Sequence, residues 1–176
     1  MIALTDFKEN TIPVSWKTIY IGRKLNLINS NFIEDFATQY LIEHYKLDNI
    51  NIIELAYGLK DDFEINDRLE KLLKELNIKI EENSPEREIE KRKWRFIKLQ
   101  SLLYKNYCNS ELIDAIENVY CDFDHPSEMN EFLIYMPPAF DDEYSFDNHS
   151  VEENLAHIIQ RFRNFLVKEQ LELSQY

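Results

Sequence analysis

The stretch SPEREIEKRKWRFIKLQSLLY, residues 84–104, decides the fold class. It opens on Ser84-Pro85, a helix-start signal, because proline is tolerated at the first helical position, where its missing N–H would lack a partner anyway. From there the spacing predicts the longest helix of the chain's middle, running to about Tyr107. The first half, EREIEKRKWR, reads as solvated, with Glu88 and Arg92 placed to pair at i,i+4. The second half carries Trp94, Phe96, Ile97, Leu99, Leu102, Leu103 and Tyr104, apolar on more than one side, as expected of a central helix packed by neighbours. Trp94 and Phe96 are therefore predicted core residues.

Working outward, the same three-four rhythm recurs on both sides. Residues 1–13 read as an irregular lead-in ending at Pro13. Ser15 caps a helix through Leu25 with Trp16, Ile19, Tyr20 and Arg23 at helical spacing. Ser30 or Asn31 caps the next, whose Phe32, Ile33, Phe36, Ala37, Tyr40, Leu41 and Tyr45 form one buried face. Asp48 caps Ile50–Leu59, with Ile52, Ile53, Ala56 and Tyr57 mostly core and Gly58 at the C-terminal turn. Ile65–Leu76 follows, with Leu69, Leu72, Leu73 and Leu76 on one side and Glu70–Lys74 as an i,i+4 pair. IKIEENSPER is the best internal linker.

Beyond the central helix, Ser110 caps a segment holding Leu112, Ile113, Ile116, Val119 and Tyr120. Pro126 starts another with Met129, Phe132 and Leu133, which must stop before Pro137-Pro138. AFDDEYSFDNH forms a loop of a length that is often functional or mobile. Ser150-x-x-Glu153 is a capping box opening the last helix, which buries Val151, Leu155, Ile158, Ile159, Phe162, Phe165 and Leu166. Only two glycines and five prolines occur in 176 residues, against average usage of about 7% and 5%, too few for many tight hairpins. The expectation is an all-α single domain, 1–176, of about eight helices packed as antiparallel helical hairpins. No fixed-period repeat marks a solenoid.

Charge is distributed unevenly. Residues 108–150 carry eleven acidic and no basic side chains, so nearly all of the net charge of −13 lies there. A solvated acidic tail would lack apolar content, yet this segment holds Tyr120, Phe123, Phe132, Tyr135, Phe140, Tyr144 and Phe146. It is expected to fold and to present carboxylates on a shaped surface. Such charge argues against direct binding of nucleic acid or an anionic membrane, and no apolar run approaches the roughly 20 residues of a membrane span. The basic cluster Lys91-Arg92-Lys93-Trp94-Arg95 lies among Glu86, Glu88 and Glu90, which largely cancel its field; it reads as a solvated face that can also pair with the acidic segment. Cys108 and Cys121, in a chain whose start lacks a secretory signal, read as small core residues of a reduced, cytoplasmic protein.

Little in the sequence carries chemistry. Asp122-x-Asp124-His125 followed by Glu128 has the donor types of a metal site, but Asp124 or His125 before Pro126 also satisfies helix capping, and Glu128 suits the positive end of a helix dipole; the structural reading is preferred. Asp141-Asp142-Glu143 lacks the spacing and glycine of an EF-hand loop. His44 and His157 fall on predicted helices. No nucleophile elbow or phosphate-cradling glycine loop is present. The expectation is a protein that is not an enzyme, with no cofactor and no metal.

Four stretches together, PVSWKTIYIGRKLNLI, KRKWRFIKLQSLLY, VYCDFDHPSEMNEFLIYMPP and HSVEEN at the last helix's start, resemble a bacterial family catalogued as domain of unknown function 2247; Arg23 departs from the aromatic that family usually has near the first helix's glycine. The resemblance implies a small cytosolic bacterial protein of a kind frequently encoded beside toxins as their immunity partner, and it brings no catalytic residues. Two functions follow as expectations. One is an immunity protein that neutralises a basic toxin domain, for which a nuclease with a Lys- and Arg-lined groove is the fitting chemistry. Its partner-binding surface comprises Asp122, Asp124, Glu128, Asp141, Asp142 and Glu143, with Phe123, Tyr135, Phe140 and Tyr144 as anchors. The other is an acidic helical regulatory or scaffold protein that binds some other basic protein. The oligomeric state stays open, and the lesser reading of the acidic face is a solubility device.

Overall fold

The computed structural model describes residues 2–133 and 146–176. Among them the chain is all-helical, as expected: α1 (Leu4–Glu9), α2 (Trp16–Lys24), α3 (Ser30–Glu43), α4 (Ile50–Ala56), α5 (Asp62–Glu75), α6 (Pro85–Leu102), α7 (Asn109–Asp122) and α8 (Val151–Leu173), with 3-10 helices at Ser127–Phe132 and Phe146–Asn148. Two compact units form, Met1–Trp94 and Arg95–Tyr176.

In the first unit the lead-in proves to be partly helical. α1 has no capping side chain at Ala3; instead the Asp6 carboxylate reaches back and accepts the Ala3 N–H at 2.7 Å. Six residues are too few to show a helical period, which is why the sequence reads as irregular there. What holds α1 is Phe7, fully buried and edge-on to Trp94 at 4.7 Å and to Phe32 at 6.2 Å.

α2 begins as expected. The Ser15 N–H donates to Thr18 Oγ1 (2.9 Å) and the Thr18 N–H to Ser15 Oγ (3.4 Å). Gly22, inside this helix, is a packing requirement. A Cβ there would lie 2.3 Å from Trp94 Cζ2, and the indole that occupies the space donates its N–H to the Thr18 carbonyl at 2.8 Å.

α3 and α4 are each capped one residue away from the expected position. Asn29 Oδ1 accepts the Phe32 N–H (3.1 Å), and Asn49 Oδ1 accepts those of Asn51 (3.0 Å) and Ile52 (3.2 Å). Phe32, Ile33, Phe36 and Ala37 face the core as the spacing predicts, and Trp16 meets Phe36 edge-on at 4.8 Å. Tyr45 and Tyr57, expected inside, are exposed. Tyr45 falls beyond the last turn of α3, and α4 buries Ile52 and Leu55, whose direction leaves Tyr57 facing away. Gly58 takes φ +78° at the C-terminal turn of α4, as expected. α5 starts at its Asp61 cap, earlier than predicted, and buries Ile65, Leu69, Leu72 and Leu73. Glu70 lies 3.6 Å from the Lys24 ammonium rather than serving the predicted pair with Lys74, and Asp67 accepts from Lys71 at 2.7 Å.

The largest correction concerns α6. It starts at Pro85 as expected, with Ser84 Oγ accepting the Arg87 N–H at 3.2 Å, but ends at Leu102, short of Tyr107. Its charged half is only partly solvated: Glu86 and Glu88 are exposed as expected, but Glu90, Lys93 and Arg95 are buried, the last two to 1% exposure. Glu90 survives there because its carboxylate accepts the Thr18 hydroxyl at 2.6 Å and the Lys93 ammonium at 3.1 Å. Unpaired, it would cost several kcal/mol. Trp94 and Phe96 are fully buried, as predicted.

In the second unit, α7 presents Leu112, Ile113, Ile116, Val119 and Tyr120 inward. Its cap is Cys108, not Ser110: the Glu111 carboxylate accepts the Cys108 N–H at 2.8 Å. Both cysteines are free and exposed, contrary to the core reading, since neither position 108 nor 121 lies on the apolar face. The segment after Pro126 is a 3-10 helix whose Met129 and Phe132 are buried, with Phe132 at 5.4 Å from Phe162 and 4.9 Å from Phe165 of α8. α8 has the predicted box, with Ser150 Oγ accepting the Glu153 N–H at 3.3 Å and the Glu153 carboxylate accepting the Ser150 N–H at 2.8 Å. Ile158, Ile159, Phe162 and Leu166 are buried; Leu155 and Phe165 are half-buried, and Val151, in the first turn, is exposed.

Two substitutions test this packing. Gly22→Ala is expected to destabilise the protein by about 1–3 kcal/mol despite alanine's better helix propensity, because a rigid buried ring must move. Urea unfolding and tryptophan emission read it, and unchanged stability with unchanged emission would contradict the ring's placement. Lys93→Met leaves the Glu90 carboxylate buried beside only the Thr18 hydroxyl and is expected to cost about 3–5 kcal/mol. Adding Glu90→Gln should recover part of that loss; a solvated Lys93 would give a change within about 0.5 kcal/mol.

Candidate functional site

The acidic surface is built where α7 stops. The helix ends at Asp122, and Asp124 and His125 both take left-handed backbone angles (φ 61° and 60°). Asp and His are among the non-glycine residues that adopt this region most readily. The His125 N–H donates back to the Tyr120 carbonyl at 3.0 Å and the Asp124 N–H to that of Cys121 at 3.3 Å, closing the helix end. The His125 ring stands edge-on to Tyr120 at 4.9 Å. These two residues therefore make the turn rather than cap the following helix, which starts after an extended Pro126 with no side-chain cap.

Two carboxylates of the surface are compensated from α6. Lys98 donates to Asp122 at 2.5 Å and also lies over the Phe123 ring, 5.9 Å from its centroid. Arg95 donates to Glu128 at 3.4 Å, and its guanidinium is 3.8 Å from Glu169 of α8, which is buried like Arg95 itself. Partial burial alone would push the Glu128 carboxyl up, but its own backbone N–H and the Arg95 guanidinium outweigh that, and it sits below the ordinary range. Glu117 moves the other way, raised by burial and by Asp114. Glu111, occupied at the Cys108 cap, is lowered by that backbone N–H. Asp114, Asp124 and Glu131 are exposed.

Of the side chains expected to bind a partner, Asp122, Asp124 and Glu128 lie on this turn and its flanks, all exposed. Phe123 is buried to 5%, so it anchors the second unit's core and not a partner. Tyr135, Phe140, Asp141, Asp142, Glu143 and Tyr144 lie outside the described residues. Among the described residues no three His, Cys, Asp or Glu side chains gather as metal ligands. Asp122 and Glu128 face Lys98 and Arg95. The sequence reading expects the cluster of residues 91–95 to be able to pair with the acidic segment, and Arg95 does so with Glu128; it missed Lys98 and Glu169, and it placed Arg95 in solvent where the structure buries it. No local signal reveals Lys98, because its partner Asp122 is 24 positions away.

No described helix is long and apolar enough to cross a membrane. Fold and charge thus define an all-helical acidic protein with a partly compensated carboxylate surface at the end of α7. The chain belongs to the family described as "Uncharacterized protein conserved in bacteria (DUF2247)", whose model matches residues 4–170, in line with the resemblance seen in the four sequence stretches. No curated protein and no solved structure matches it.

The Glu128–Arg95 pair gives a pH signature. Because the folded-state pKa of Glu128 is lowered from 4.5, the ionised group contributes stability above that value, and the contribution is lost as pH falls through the folded pKa. The expected gap in urea midpoint between the parent and Glu128→Gln is therefore present at neutral pH, amounts to less than about 1 kcal/mol because the carboxylate is solvent-screened, and closes in acid. A gap independent of pH would mean that the pair contributes nothing through charge.

Proposed function

We propose that this protein is a non-enzymatic immunity-type inhibitor, acting in the bacterial cytoplasm, that binds a basic toxin domain through the acidic surface of residues 108–150; a nuclease with a cationic groove fits that surface best. The observation that carries the reading is the charge arrangement. Within the described part, residues 108–133 hold seven carboxylates and no cation, and the two pairs supplied by Lys98 and Arg95 leave the surface strongly negative. Self-repulsion of this kind offers the fold nothing, whereas it steers a cationic partner and raises its association rate. The neutralised nuclease groove would exchange phosphate for carboxylate on its Lys and Arg side chains.

The test pairs the protein with the product of the gene beside its own. Co-expression should rescue a host that the neighbouring product alone kills. In purified form, Asp114→Asn with Asp124→Asn and Glu131→Gln should slow association about tenfold at low salt and flatten its salt dependence, with stability changed by no more than about 0.5 kcal/mol. No rescue, or equal rates and salt slopes for variant and parent, would overturn the reading.

A further inference from the structure

Among the described residues of the first unit, every large apolar side chain left exposed falls in one stretch: Ile42, Tyr45, Leu47, Ile50, Tyr57 and Phe63. Scattered exposed apolar residues are ordinary, but a contiguous group marks an interaction surface. Three of the group, Ile42, Tyr57 and Phe63, line hollows of this unit. α3 and α4 pack together and leave between them a hollow of about 530 Å³ lined by Thr38, Leu41, Ile42, Ile53, Ala56 and Tyr57. Ile42 is 72% and Tyr57 85% exposed, although α4 buries Ile52 and Leu55 on its other side, so the helix is already held without them. On the far side of Tyr57 a second hollow of about 340 Å³ continues to the start of α5, where Phe63 is 80% exposed.

The chemistry of the rim selects the occupant. The second hollow is lined by Glu54, Glu64 and Asp67 against Arg68; Glu54 is paired with Arg68 and Asp67 with Lys71, which leaves Glu64 as the lining carboxylate with no ion pair among the described residues. Residues 42–67 as a whole carry seven acidic and two basic side chains; Asp62 is paired with Arg23, Glu54 with Arg68 and Asp67 with Lys71, and Lys60 lies 3.7 Å from Glu34, so Glu43, Asp48, Asp61 and Glu64 stand against Lys46 and the stretch stays net negative. A second copy of this chain would bring like charge onto like charge, and so would its own acidic segment 108–150. A groove between two helices with apolar walls takes an amphipathic helix by its i, i+3/i+4 and i+7 side chains. We propose that the α3–α4 cleft, continued past Tyr57 to the start of α5, is a docking groove for a basic amphipathic helix of a partner protein, with apolar anchors in the cleft and Lys or Arg against Glu64 at the start of α5. This groove lies in the first unit and does not rest on the role given to residues 108–150.

The probe is an 18-residue fluorescent peptide of Leu and Lys at amphipathic helical spacing, with a Leu/Glu peptide of the same pattern as its control. Fluorescence anisotropy and 15N–1H chemical-shift mapping are run at 0.15 M salt, where long-range attraction is largely screened. The expected result is binding of the Leu/Lys peptide with shifts concentrated in residues 38–67, at least tenfold weaker binding by Ile42→Ser with Tyr57→Ser, and an affinity changed less than threefold in Asp114→Asn with Asp124→Asn and Glu131→Gln. Circular dichroism melting establishes that the groove variant is folded. If it is not, Tyr57→Ser alone, at a solvent-facing position, carries the comparison. No binding, shifts confined to residues 108–133 or spread over the chain, equal affinity in the groove variant, equal binding of the Leu/Glu peptide, or a dimer in sedimentation that the groove variant abolishes would each overturn the proposal.

Discussion

The structure depends on what α6 does with five consecutive residues. Lys93, Trp94, Arg95, Phe96 and Ile97 are all buried, and at 100° per residue they point in every direction around the helix axis. Such a helix cannot be kept by one apolar stripe; each direction needs its own partner. Trp94 takes a space that exists only because position 22 is glycine, and its indole N–H is bonded to the Thr18 carbonyl. Lys93 is held by Glu90, and Glu90 by the Thr18 hydroxyl. Thr18 thus serves Trp94 through its backbone and Glu90 through its side chain. Arg95 faces Glu128 and Glu169. A buried ion pair adds little net stability over an apolar replacement, but removing one member is expensive, so these charges make the placement of α6 intolerant of error more than they make it stable.

This explains which parts of the fold were legible in the sequence. Helix class and most boundaries were, because they rest on local chemistry: Ser15, Ser84-Pro85 and Ser150-x-x-Glu153 satisfy backbone groups within a single turn, and the apolar spacing of α5 and α7 matches their buried faces. The errors have the opposite origin. α1 is held by Phe7 against Phe32 and Trp94, distant in sequence. The charged half of α6 looks solvated to any local window, since the Thr18 hydroxyl that satisfies Glu90 is 72 positions away. Asn29 and Asn49 were passed over because Ser, Asn and Asp neighbours offer equally good caps, and only geometry chooses among them.

The candidate surface was legible in its charge but only in part in its compensation, since pairing from residues 91–95 was expected and pairing from Lys98 was not. Summing by segment makes residues 61–107 look neutral and residues 108–150 wholly unbalanced. In space the neutral segment is divided: Lys93 is committed to Glu90, whereas Arg95 and Lys98 turn to Glu128 and Asp122. Net charge by segment therefore overstated the free negative charge at the end of α7, and the lowered pKa of Glu128 reflects its own backbone N–H first and that compensation by Arg95 second. The aromatic content was misread for a related reason. Phe123, Phe132 and Tyr120 fold the segment by being buried in it, which is how a stretch with this charge keeps a shape at all.

That distinction bears on how the protein could hold a partner. Exposed carboxylates accelerate encounter and impose salt dependence, while slow dissociation comes from apolar and aromatic anchors in desolvated pockets. Within residues 108–133 the aromatics are interior, so the described acidic surface has the means of steering without those of anchoring. The first unit has the reverse: Ile42, Tyr57 and Phe63 stand in solvent around a ready-made cleft, with carboxylates at its rim rather than its centre. An apolar centre with a charged rim is the arrangement that excludes water from the anchors while still selecting partners by charge. If the two proposals hold, the acidic surface would govern how fast a basic partner arrives, and the α3–α5 cleft would be the described part of the molecule equipped to determine how long one stays.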